Sequence, residues 1–157
     1  MDYSKKGFTL IELLVVVAIV GILASVTLGY LGDSRKKGVK TAVISNLSTV
    51  RAVSNIFYIN NNGFLPSGGS TFGIATCPVY NASGTNMLSR DRDMAAAIAE
   101  AVLRGGNGSS CYNSANFWAV AVGLDATTSW CVDHSGVSKE VSSAPSSAIN
   151  NTTFLCN

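Results

Sequence analysis

The chain has 157 residues, of which 47% are apolar and 13% are charged, and its net charge is +2 at pH 7. This length accommodates one small folded domain in addition to a hydrophobic segment. The net charge is too small to indicate a nucleic-acid partner by itself. The low charged fraction is typical of a protein that is partly buried in lipid or in an assembly.

The N-terminus changes abruptly from basic and polar to apolar. Lys5, Lys6 and Gly7 precede the stretch 8–31, in which Glu12 is the sole charged residue. As a helix, this stretch spans roughly 36 Å at about 1.5 Å per residue, enough to cross a bilayer with some tilt. An ionised carboxylate in such a segment is unfavourable without a partner, so Glu12 is expected to have a function.

The order of these parts argues against a secretory signal peptide. A signal peptide carries its small-residue cleavage site after the apolar stretch. Here the small residue, Gly7, precedes the stretch, and no A-x-A-like site follows Leu31. Residues 8–31 are therefore expected to remain in the mature protein.

The helical pattern continues beyond the apolar stretch. Apolar residues recur at spacings of three and four at Val39, Val43, Ile44, Leu47, Val50, Val53, Ile56 and Phe57. With no proline before Pro66, this pattern predicts one helix from about Phe8 to Tyr58, which Asn60–Gly63 ends. Its second half is expected to be amphipathic and to cover a soluble domain.

The remainder predicts a small mixed domain. The expected elements begin with an ordered loop over 64–88. A helix then follows a cap at Ser89, has Asp91 and Asp93 in its first turn, contains the alanine-rich run 94–103 and is ended by Gly105 and Gly106. Strands are expected over 117–124, 129–133 and 137–141, with a turn at 134–136 and a polar tail over 142–157. The predicted class is therefore α+β, with a long N-terminal helix on a small antiparallel sheet.

Four cysteines, Cys77, Cys111, Cys131 and Cys156, all lie far beyond the apolar stretch. An even count in a small exported domain indicates two disulfides, with three possible connectivities. Sequential pairing is favoured because it would fix the C-terminus. A zinc site would need close cysteine pairs, whereas the nearest two here are 20 positions apart, so no metal is expected.

The segment Lys5–Glu12, KKGFTLIE, resembles the prepilin signature of type IV pilins and type II secretion pseudopilins. That signature is a basic leader, a glycine, an N-terminal phenylalanine and a glutamate as the fifth residue after the cleavage site. The resemblance covers the leader and first helix, about a third of the chain. It implies a type IV pilin-like fold, with a transmembrane first half of the helix.

The resemblance implies roles for three residues at this junction. A membrane prepilin peptidase would cut between Gly7 and Phe8, release residues 1–7 as the leader, and N-methylate the new amino terminus of Phe8. Glu12 would pair with the Phe8 ammonium of a neighbouring subunit. Physical chemistry agrees, because after cleavage the apolar segment contains no other cation for this carboxylate.

On this basis the chain is expected to be a structural filament subunit without a cofactor, not an enzyme. Residues 8–31 would lie in the inner membrane and then in the filament core, and residues 32–157 would form the outer domain. The partners would be copies of the same chain, the prepilin peptidase, the assembly platform and the bilayer. Adhesion and motility would be properties of the polymer, which would lie on the cell surface.

Two alternatives stay open. A type II secretion pseudopilin would form a short periplasmic piston instead of a surface filament. A single-pass membrane-anchored binding or sensor domain would need neither Glu12 nor a cut after Gly7.

Other reactive or charged residues are weaker candidates. Cys131 and His134 would lie on one strand and its turn, whereas catalytic pairs usually meet from separate elements. Asp125 and Asp133 supply too few oxygens for calcium, which takes about six to eight.

A basic cluster follows the apolar stretch at Arg35, Lys36, Lys37 and Lys40. Charge counting alone would place the C-terminal side in the cytoplasm. Four cysteines favour an oxidising compartment for that side instead. The cluster is therefore expected to face anionic lipid headgroups rather than DNA.

Overall fold

The computed structural model describes residues 7–157, and for residues 27–31 it describes the backbone alone. Residues 1–6 of the expected leader lie outside this part. The chain forms two compact units, one up to Lys37 and the other over Gly38–Asn157. The elements in chain order are α1 (Leu10–Asn61), β1 (Phe72–Ala75), α2 (Met87–Arg90), α3 (Arg92–Gly105), β2 (Ser109–Asn113), β3 (Trp118–Gly123), β4 (Ser129–Asp133), β5 (Ser138–Val141) and α4 (Pro145–Ala148).

The predicted long helix is confirmed as α1, with boundaries two and three residues later than expected. It ends because Asn62 adopts the left-handed conformation, with φ at 54°, and the Gly63 amide then donates to the Tyr58 carbonyl at 3.2 Å. The helix thus terminates at the asparagine and glycine run that the sequence marks.

The second half of α1 covers the domain through Val43, Leu47, Val50, Ser54 and Phe57, which are all buried. These positions follow one another at spacings of four and three, as one face of a helix requires. Ile56 was expected on this face, but it lies off the row and is 59% exposed. Ser54 occupies the buried position on this face instead, and its hydroxyl donates to the Arg51 carbonyl at 2.8 Å.

The sheet has five antiparallel strands in the order β1-β2-β3-β4-β5, two more than predicted. The three predicted strands correspond to β3, β4 and β5. The strand β1 lies within the segment expected to be a loop, and β2 has the polar sequence SSCYN, which carries no apolar alternation. Ser110 and Asn113 of β2 are nevertheless buried, and Asn113 accepts from the Met87 amide and donates to the Phe64 carbonyl.

Strand β3 is buried on both faces. Trp118, Val120 and Val122 belong to the core beneath α1 and α3, whereas Ala119 and Ala121 belong to a second core on the opposite face. That second core contains Ala148 of α4 and Ile149, which is 1% exposed. The C-terminal segment, for which the sequence predicts only a polar tail, therefore covers one face of the sheet. The small side chains of Ala119 and Ala121 let this segment approach closely.

The second predicted helix exists, but its start was wrongly assigned. Ser89 lies inside the short helix α2, and its amide donates to the side chain of Asn86 at 3.0 Å. Asp91 is extended and caps α3 instead, accepting from the Met94 amide at 2.9 Å. The break at Asp91 divides the segment into two helices. As expected, the glycines end α3, because Gly106 adopts the left-handed conformation with φ at 72°.

Two disulfides join Cys77 to Cys111 and Cys131 to Cys156. Their presence confirms the predicted cross-linked domain, and the pairs are sequential in the chain. The first ties the segment after β1 to β2, and the second ties β4 to the C-terminus. No cysteine is left free.

Candidate functional site

The first helix begins with a reciprocal pair of hydrogen bonds between Thr9 and Glu12. The Thr9 amide and the Thr9 hydroxyl both donate to Glu12 Oε2, at 2.8 and 2.7 Å, and the Glu12 amide donates to Thr9 Oγ1 at 3.3 Å. This is a capping box, in which threonine precedes the first turn and glutamate occupies its third position. It stabilises the helix start and holds the carboxylate beside it.

The capping box engages only one oxygen of the carboxylate. Within the described part of the chain, Glu12 Oε1 has no hydrogen-bond partner and Glu12 forms no ion pair. An acidic group in the first turn also complements the partial positive charge of the helix N-terminus. The second oxygen is thus available to a cation supplied by another molecule.

The side chains around this carboxylate are apolar and exposed. Phe8, Leu10 and Ile11 are 85%, 89% and 71% exposed, and every large apolar residue from Phe8 to Val26 is at least 49% exposed. Phe8, Ile11, Val15 and Val16 border a groove of about 360 Å³ that also contains Glu12. A surface of this extent and composition indicates a site of interaction.

Across the described residues, no helix combines the length and apolar character that crossing a membrane requires. The expected transmembrane stretch 8–31 includes residues 27–31, whose side chains lie outside the described part. Its membrane-spanning role stays a prediction.

Gly7 lies in open space. A Cβ added at Gly7 would have no atom of the described chain within 4 Å, apart from its immediate neighbours. Residues 8–157 therefore give no steric reason for a glycine at that position.

The basic cluster after the apolar stretch does not act as one set of exposed charges. Lys40 forms an ion pair with Glu140 of β5, and its ammonium lies 5.4 Å from the centre of the Trp130 ring. Lys40 therefore connects the second half of α1 to the sheet. Contact with lipid headgroups stays a prediction for Arg35 and Lys36, which are exposed.

The other sequence candidates occupy structural positions. Cys131 is in a disulfide, and the His134 ring meets the Phe117 ring edge to face at 4.8 Å. Asp133 is buried, with Oδ1 accepting from Ser135 and Oδ2 accepting from the Cys156 amide at 3.0 Å. This buried carboxylate joins the β4–β5 turn to the C-terminal segment.

Asp125 lies in an exposed turn, where hydrogen bonds from Thr128 and Thr127 lower its pKa from 3.8 to about 2. Both bonds at 2.8 Å come from backbone amides of the same turn. Nowhere in the described chain do three or more histidine, cysteine or acidic residues form a group that could hold a metal.

Sequence reasoning missed two of these interactions. The capping box was visible as Thr9-x-x-Glu12 directly before the apolar run. The position of Asp133 beneath the C-terminal segment left no local signal, because Cys156 is distant in sequence.

Comparison with known proteins identifies the motif at the N-terminus. Residues 3–28 match the family model described as the prokaryotic N-terminal methylation motif. This match covers Gly7, Phe8 and Glu12, and it agrees with the resemblance to prepilins noted from the sequence.

The chain is also similar to curated filament proteins. It is 42% identical over 61 residues to the type IV wide pilus major component of Thermus thermophilus, covering 39% of this chain and 47% of that protein. It is 39% identical over 79 residues to a type IV major pilin of Neisseria gonorrhoeae, covering 50% of this chain and 47% of that protein. It is 29% identical over 62 residues to the type II secretion system core protein G of Pectobacterium carotovorum, covering 40% of each.

The chain thus spans less than half the length of each of these relatives. No solved structure matches the chain. The long helix, the antiparallel sheet and the two disulfides agree with the pilin-like architecture that the resemblance implies.

Proposed function

We propose that this chain is the precursor of a structural subunit of a type IV pilus, which polymerises through its N-terminal helix. The observation that carries the proposal is the match of residues 3–28 to the N-terminal methylation motif. The similarity to two pilus subunits supports it. Catalysis is not part of the proposal, since all the cysteines are paired and the candidate Cys131–His134 pair lacks a thiol.

Processing would begin with hydrolysis of the amide between Gly7 and Phe8. Water adds across this bond, which leaves a carboxylate on Gly7 and a free amine on Phe8. That amine then takes the methyl group of a sulfonium methyl donor, which leaves as a neutral thioether while the nitrogen loses a proton. The partner is a membrane prepilin peptidase, whose active site would require the glycine; the open space around Gly7 among the described residues agrees with this. Residues 1–7 are released as the leader.

Assembly would then use the oxygen of Glu12 that the capping box leaves unengaged. The Phe8 ammonium of a second copy is the cation, and Thr9 holds the carboxylate in place through Oε2. The exposed apolar side chains from Phe8 to Val26 lie in the inner membrane beforehand and against neighbouring copies afterwards. The domain over 32–157 then forms the surface of a filament outside the cell.

The test is the chemical nature of the mature N-terminus. Sequencing and mass spectrometry of the protein from its native membrane should find a chain that begins at N-methylated Phe8. The variant Gly7→Val should accumulate as the full-length precursor, because a branched side chain crowds the scissile bond. Wild-type protein that retains residues 1–7 would refute the proposal and favour an anchored sensor or binding domain.

A second candidate is a type II secretion pseudopilin, which the similarity to a core protein of that system favours. Both candidates predict the same processed N-terminus. Deletion of the gene distinguishes them: loss of surface filaments indicates the pilus, whereas a protein-secretion defect with surface filaments unchanged indicates the pseudopilus.

A further inference from the structure

The helix α3 is apolar on two sides, although only one of them is covered. Met94, Ile98 and Ala101 face the core and are at most 2% exposed. On the outer side, Ala96 and Ala99 are exposed and Leu103 is 74% exposed. Charged residues of the same helix flank this apolar strip, and an exposed apolar surface with a polar rim is typical of a site of interaction.

This outer face forms one wall of a groove of about 560 Å³, within the range of about 300–1,000 Å³ that is usual for binding pockets. The other wall is the segment Thr76–Tyr80, in which Val79 is 83% exposed and Tyr80 is 49% exposed. The Cys77–Cys111 disulfide fixes this segment to β2. The groove is therefore preformed, and its small alanines permit the close approach of a helix.

The same folded unit carries a second uncovered apolar patch at the end of α1. Ile56 and Ile59 lie three positions apart on one side of the helix and are 59% and 79% exposed. Neither residue lines the groove on α3. Two different patches on one subunit can cover each other only between copies, and such a head-to-tail contact generates an open helical filament wherever its rotation does not close into a ring.

The charges at the two patches are complementary. Arg92 lines the groove and forms no ion pair among the described residues. The last turn of α1, which follows Ile56, contains no basic residue to balance the partial negative charge of the helix C-terminus. Insertion of that turn into the groove would bring the guanidinium towards this partial negative charge.

We infer that the groove between α3 and the segment Thr76–Tyr80 receives the end of α1, at Ile56 and Ile59, from a second copy of this chain. This inference rests on the proposed polymerisation and adds a contact between folded domains to the one at the N-terminal helix. Each copy inserts the end of its α1 into the groove of one neighbour and accepts the end of α1 from another.

The first test is cross-linking inside assembled filaments. Subunits carrying Ile59→Cys are co-assembled with subunits carrying Leu103→Cys, and a short bis-maleimide is added. Because all four native cysteines are paired, the new thiols are the reactive ones. A cross-linked dimer in mixed filaments, and none in filaments of either variant alone, supports the contact; no dimer in intact mixed filaments overturns it.

The second test is a charge exchange. Ile59→Lys alone and Leu103→Asp alone should each lower filament mass by about tenfold or more, the effect of losing one buried aliphatic contact, and the double variant should recover much of it. Asn60→Lys is the matched control, because it adds the same charge at the neighbouring exposed position. A double variant no better than the single ones, or an unaffected Ile59→Lys, overturns the inference.

These outcomes separate the two proposals. If wild-type protein forms no filaments, the proposed function fails. If filaments form but neither cross-link nor charge rescue occurs, only the groove contact fails. Both substituted side chains are largely exposed, so unchanged circular dichroism of the variants should show that the domain still folds.

Discussion

Removal of the Cys131–Cys156 disulfide should destabilise the domain by a calculable amount. The perturbation is the double substitution Cys131→Ser and Cys156→Ser, which leaves no unpaired thiol. The two cysteines are separated by 25 residues. Loop-closure entropy for a loop of that length gives about 3.5 kcal/mol of lost stability at 25 °C, because the unfolded chain regains freedom that the cross-link had removed.

The structure also predicts what happens to the C-terminal segment afterwards. The Cys156 amide donates to the buried Asp133, Ile149 pairs with Cys156 in a β-bridge, and Phe154 stacks on Tyr112 at 4.1 Å. None of these contacts needs the sulfur–sulfur bond. The segment should therefore stay docked in the variant, even though the free energy of unfolding falls.

The assays are chemical and thermal unfolding of the full chain in detergent, both followed by tryptophan fluorescence, with hydrogen exchange at the amide of position 156. We expect a fall in the unfolding temperature of about 10–20 °C for a domain of this size. The matched control is Cys77→Ser with Cys111→Ser, whose separation of 34 residues predicts a similar loss. A loss below about 1 kcal/mol, or an unprotected amide at position 156, would refute this reasoning.

Three further predictions concern the core, the turn and the N-terminus. Leu47→Ala should lower the free energy of unfolding, measured in urea, by about 2–5 kcal/mol, since Leu47 is fully buried. The exposed control Thr49→Ala should change that free energy by no more than about 0.5 kcal/mol. Equal losses in the two variants would contradict the packing of Leu47. The lowered pKa of Asp125 means that its carboxylate stabilises the folded state above about pH 4 and stops doing so as the pH falls through about 2. The difference in urea midpoint between Asp125→Asn and the wild type should therefore shrink as the pH falls from about 4 to about 2. A difference that stays constant over this interval would contradict the stabilising role of the Asp125 carboxylate. Glu12→Gln keeps the capping acceptor but removes the charge, so electron microscopy should show few filaments although mass spectrometry still finds Phe8 at the N-terminus; normal filaments would disprove the pairing role.

The N-terminal region could be predicted well because its signals are local. The helix, its amphipathic second half and its end at the asparagine and glycine run follow from spacing and turn chemistry in one continuous stretch. The motif at Gly7, Phe8 and Glu12 is equally local, and the match to residues 3–28 agrees with it. The roles of these residues in cleavage, methylation and pairing stay predictions.

Only the tertiary structure decided the rest of the domain. The strands β1 and β2 are short and polar or glycine-rich. Strand β1 pairs with β2, which is distant in sequence, and β2 is held between β1 and its hairpin neighbour β3. Burial of Asn113 and Asp133 depends on the backbone groups that meet them, which no local pattern encodes. The sequence by itself determined the long helix, the strands β3 to β5 and the presence of two cross-links, since periodicity and composition act within a segment. The strands β1 and β2, the docked C-terminal segment and the groove on α3 arise from contacts between segments, and those are fixed only when the chain has folded.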